Sequence, residues 1–113
     1  MQTQTKQGVI VLLDTTMEHA TLYKIGTYEV LQPLFEHVQS VLHDVSNGYT
    51  KHTTTYPVLI DLEAIGLSED EQYAVQTYIL NHTLSKRVYD FVYAVFKEDT
   101  DKIQEAVDVI LAP

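Results

Sequence analysis

The chain has 113 residues and a formal net charge of −9, with no cysteine; 45% of its residues are hydrophobic and 20% charged. That is one domain's worth of chain in the ordinary globular range, and the missing cysteines exclude disulfides, thiolate catalysis and Cys-ligated zinc or iron–sulfur centres. The acidity is uneven: from Pro57 onward eleven Asp/Glu stand against four Lys/Arg, and before it five against three.

Residues 1–7 are polar and lack the apolar segment of a signal peptide, and no apolar run nears the roughly 18 residues of a membrane span. They read as a flexible tail before a single domain at 8–113, and the chain reads as cytoplasmic. The β-branched run at 8–14, ended by the turn former Asp14, predicts a strand buried on both faces. Residues 20–25, closed by Gly26, predict the second arm of a hairpin, with Leu22 and Lys24 alternating against Tyr23 and Ile25.

Leu31, Leu34, Phe35, Val38, Val41, Leu42 and Val45 recur at three and four, which predicts an amphipathic helix ended by Asn47 and Gly48. Pro33 places its regular start near residues 30–33, with 27–32 as a loose first turn. Residues 57–62 predict a third strand, central or next to the first, with Pro57 at its entrance. Ser68 followed by Glu71 is a capping box, so a helix should run from about Glu69 to His82.

Residues 86–97 admit two readings. A helix puts Val88, Phe91, Val92, Val95 and Phe96 on one stripe; a strand would set Asp90 among Val88, Val92 and Phe96, so the helix fits better, although Val, Tyr and Phe favour strands. Thr100 can cap a last helix with Ile103, Ala106, Val107, Ile110 and Leu111 on one face. The elements sum to an α+β fold: a small mixed sheet of three or four strands packed by a central helix and two or three C-terminal helices.

Catalytic and metal motifs are weak. His37 and His43 fall about 240° apart around a helix and cannot chelate together, while His19, His52 and His82 lie in separate elements. Asp61 and Glu63 alternate at a strand end, with Asp14 ending another strand, a pattern that can hold Mg²⁺ but reads first as turn formers and a solvent-facing sheet edge. No GxSxG elbow or glycine-rich phosphate cradle occurs, and the sequon at Asn81 is a chance match in a chain without a secretory signal. The expectation is a non-enzymatic protein with no cofactor.

The acidic field repels nucleic acid and anionic lipid and draws basic protein surfaces. Glu69, Asp70 and Glu71 complement a helix N-terminus and double as a contact patch, joined by Glu98, Asp99, Asp101, Glu105 and Asp108. Among the eight tyrosines, Tyr73, Tyr78, Tyr89 and Tyr93 fall in the C-terminal helical region, where a ring with a polar tip suits a core margin or an interface. These features predict an acidic protein-interaction module, an inhibitor or adaptor of the sort found among regulatory and virus- or mobile-element-encoded proteins. Its partner would be a protein with a basic, nucleic-acid-binding surface rather than nucleic acid or membrane. A self-associating subunit of a larger assembly is the alternative, and a small metal-dependent or ligand-sequestering protein built on Asp14, Asp61 and Glu63 the third.

Overall fold

The computed structural model describes residues 6–48 and 55–112, with side chains from 6 to 42 and from 55 to 112. Strands β1 (Gln7–Asp14), β2 (His19–Thr27) and β3 (Thr55–Asp61) form one sheet in the order β2-β1-β3. Both pairings are antiparallel, so the sheet is not mixed as the sequence suggested. The hairpin turn is set by Asp14, whose Oδ1 accepts the backbone N–H of Thr16 and of Met17, each at 3.0 Å. β1 is central and buried on both faces, as its continuous apolar run requires.

The two faces of β1 serve different layers. Val9, Val11 and Leu13 join the main core with Val58, Ile60 and residues of the C-terminal helices. Gly8 and Ile10 face the other way, toward helix α1 (Tyr28–Gly48), which supplies buried Leu31 and Val38. A Cβ added at Gly8 would sit 3.1 Å from the Ile60 carbonyl oxygen and 3.3 Å from Leu31 Cδ1, so this glycine lets α1 close onto the sheet. α2 (Glu69–Asn81), α3 (Lys86–Phe96) and α4 (Thr100–Leu111) cover the opposite face, giving three layers.

Several boundaries differ from the sequence reading. The hairpin register slips between Ile10, opposite Lys24, and Val11, opposite Leu22, which leaves Tyr23 as an extra residue. Leu22 and Ile25, three apart, therefore both pack on the core, where strict alternation would separate them. α1 starts at Tyr28 and carries Pro33 inside it; the Tyr28 N–H donates to the Lys6 carbonyl at 2.9 Å, which fixes the first turn before the proline is reached. The helix continues through Asn47 and Gly48.

Gln7, assigned to a tail by composition, is the buried first residue of β1, and Lys6 pairs with Asp61 at 3.6 Å. α2 ends at Asn81, with His82 as its C-cap. Residues 86–96 are helical, with the Ser85 hydroxyl accepting the Val88 N–H at 3.2 Å. α4 is capped by Asp99 rather than Thr100, through the Lys102 N–H at 3.2 Å.

Candidate interaction surface

The Ser68 capping box forms as its spacing requires: the hydroxyl accepts the Glu71 N–H at 3.3 Å, and the Glu71 carboxylate accepts the Ser68 N–H at 2.9 Å. One of the three carboxylates of this turn is thus committed to the fold. Glu69 and Asp70 are exposed and make no ion pair among the described residues. Along the same helix Tyr73 is 52% exposed, its hydroxyl accepting from Gln7 Nε2 at 3.3 Å. Tyr78 is half-buried and stacks on His82 with ring centroids 4.3 Å apart.

A shallow groove of about 550 Å³ between α2 and α4 brings Asp70, Tyr73 and Tyr78 together beside Ile110 and Leu111. α2 contains no Lys or Arg, so Asp70 and the two tyrosines share their side of the groove only with the uncharged Ala74, Thr77 and Asn81 of that helix.

The other predicted contact residues lie elsewhere. Tyr89 is largely buried on the core-facing flank of α3, which leaves it little surface to offer a partner, and its hydroxyl is pushed above the ordinary 10.0 by burial and then by the Glu18 carboxylate. Tyr93 is 38% exposed and stacks on Tyr89 at 5.7 Å, with the Lys97 ammonium 5.7 Å from its centroid. Glu98 occupies the turn after α3 with φ +56°, and Asp99 is used as a cap. Asp101, Glu105 and Asp108 share the exposed side of α4. Asp70 adjoins the C-terminal end of α4 and Asp101 its N-terminal end, about 14 Å of helix apart. The acidic residues therefore form two sets rather than one patch.

Two features escaped the sequence reading. Four of the seven Lys/Arg (Lys86, Arg87, Lys97 and Lys102) collect on α3, its C-cap and the first turn of α4; a helix over 86–97 already sets Arg87 and Lys97 on the face opposite its apolar stripe, and what the sequence does not show is Lys102 of α4 beside them. The second is a buried amide network. Gln76 Nε2 donates to the Gly8 carbonyl at 3.1 Å and to Gln7 Oε1 at 3.3 Å, while Gln72 Oε1 accepts the Gln7 N–H at 3.3 Å. It ties β1 to α2.

The chain matches no protein family model, no curated protein and no solved structure. Chemistry must be read from the geometry alone. Asp14 and Asp61 end strands at opposite ends of the sheet, paired with Thr55 and Gly8 respectively, so they cannot meet around one ion. Asp61 Oδ1 instead accepts the N–H groups of Glu63 and Ala64, and Lys6 bridges Asp61 and Glu63. Among the described residues no three His, Asp or Glu side chains are placed to hold a metal, and no helix is long and apolar enough to cross a membrane. His43 lies beyond the described side chains, and His52 outside the described residues.

Proposed function

We propose that this chain is a non-enzymatic, cytoplasmic protein-interaction module, an inhibitor or adaptor, that engages a basic protein surface through α2 and the α2/α4 groove. The observation that carries the reading is the juxtaposition of Asp70, Tyr73 and Tyr78 on one groove, with Glu69 beside them and no cation on α2. Aromatic rings supply contact area at low entropic cost, and the carboxylates steer association and reject acidic competitors. In the sharper form, the partner's surface is one that otherwise holds nucleic-acid phosphates.

Retrieval of partners from the native cell with wild type and with the triple variant Glu69→Gln, Asp70→Asn, Tyr73→Ala, in low and high salt, tests this. The expected result is a basic protein held by wild type in low salt, released by high salt and missed by the variant. A partner held equally by both proteins at both salt concentrations contradicts it.

A second reading, self-association, is favoured by a different surface. Tyr93 and Val109 are exposed apolar side chains on α3 and α4, between helices of opposite net charge.

A further inference from the structure

We infer that the outward face of α3 and α4 is a two-fold, self-complementary interface whose occupant is a second copy of this chain, with α3 of each copy lying against α4 of the other. This rests on the self-association reading and specifies its surface and symmetry.

The charge distribution is the first ground. α3 and its C-cap carry three cations, Lys86, Arg87 and Lys97, against Asp90, a net of +2; α4 carries Asp101, Glu105 and Asp108 against Lys102, a net of −2. All eight side chains are exposed. Among the described residues only Lys86 and Asp90 of these eight pair, at 3.5 Å along the helix. Asp108 accepts an amide N–H from Gln104 at 3.0 Å, which leaves its charge in place. An acidic protein thus places three of its seven cations on one helix and its C-cap and sets that helix beside an anionic one.

The shape of the face is the second ground. A groove of about 470 Å³ runs between the helices, with Ala94 and Ala106 lining it beside Tyr93 and Val109. Two alanines keep the helix pair open along its seam, and Tyr93 at 38% and Val109 at 44% exposure offer apolar surface to a partner.

Symmetry then selects the arrangement. α3 and α4 pack on each other across a connection of only residues 97–99, and a link this short makes them antiparallel neighbours. A two-fold axis along the helices lays α3 of one copy on α4 of the other, bringing Lys97 toward Asp101 and the basic start of α3 toward Asp108 of the second copy. An axis across the helices would lay α3 on α3, cation against cation, and α4 on α4, anion against anion. Like charges also meet in the favoured arrangement: Asp90, already paired with Lys86, faces Glu105 of the second copy, and Lys97 and Lys102, which both line the groove, approach each other across the axis.

Salt does not diagnose this dimer, because it screens both the local attraction and the mutual repulsion of two chains of charge −9. Charge reversal does. Sedimentation velocity over a concentration series would compare wild type, Arg87→Glu, Asp108→Lys, both changes in one chain, and Glu105→Gln. Glu at the start of α3 and Lys near the end of α4 each suit their own helix dipole, so any loss of dimer is not a loss of fold.

The expected result is a wild-type dimer that each single reversal weakens by about tenfold or more, with recovery in the double variant. Glu105→Gln should tighten it. A dimer indifferent to these changes overturns the proposed face while leaving self-association standing. A wild-type monomer at every concentration overturns both.

Discussion

Ser68, Gln76 and Tyr89 each hold the molecule together by a different physical means. Ser68→Ala removes one half of the capping box and should lower unfolding free energy by about 1 kcal/mol in a denaturant titration. Gln76→Leu costs more, on the order of 1–3 kcal/mol, because the Gly8 carbonyl and Gln7 Oε1 lose their buried donor. Tyr89 acts through pH. Its hydroxyl titrates above the ordinary 10.0 in the fold, for burial and the Glu18 carboxylate both disfavour the phenolate. The stabilisation from keeping it protonated is complete below the unfolded value and is lost as pH climbs from there through the folded one. Tyr89→Phe should therefore flatten the alkaline limb of the stability curve and leave its slope near neutral pH unchanged.

At the level of helices and strands, periodicity made most of the fold legible. The central strand, the part of the α1 stripe from Leu31 to Val38 and the capping box of α2 follow from apolar spacing and one Ser–Glu pair, which are local signals, whereas Val41 of the same stripe is exposed. What was not legible depended on contacts distant in sequence. The bulge at Tyr23 arises from pairing with β1, and the early start of α1 from a bond to Lys6. Gln7 looked like tail because its partners, Gln72 and Gln76, are sixty-five and sixty-nine residues away. Asp99 displaced Thr100 as cap by one position, a shift within the ordinary ambiguity of helix ends. Pro33 remains a local conflict inside α1, since it cannot donate to the carbonyl four residues earlier. Pro33→Ala should raise stability by roughly 1–3 kcal/mol, read as a higher melting temperature, provided tertiary packing holds the helix axis fixed.

Taken whole, the protein is less uniformly acidic than its charge of −9 suggests. The candidate contact residues were legible as residue types but not as a surface, because the sequence does not show which helices adjoin. Folding withdraws Tyr89 into the core, spends Glu71 and Asp99 on helix caps, and sets Asp70 and Asp101 at opposite ends of α4. It leaves an anionic, tyrosine-bearing groove on one side of α4 and a charge-divided face on the other. These surfaces share a helix but not their exposed side chains, so variants can separate them. Arg87→Glu should alter self-association and spare a partner bound at α2.

The decisive measurement is a calorimetric titration of the retrieved basic partner into wild type and into the Glu69→Gln, Asp70→Asn, Tyr73→Ala variant at two salt concentrations. The predicted result is a Kd that rises with salt for wild type and is weaker by about tenfold or more for the variant, with a shallower salt dependence because two charges are gone. Equal affinities and equal salt slopes for the two proteins would contradict recognition through the acidic face of α2.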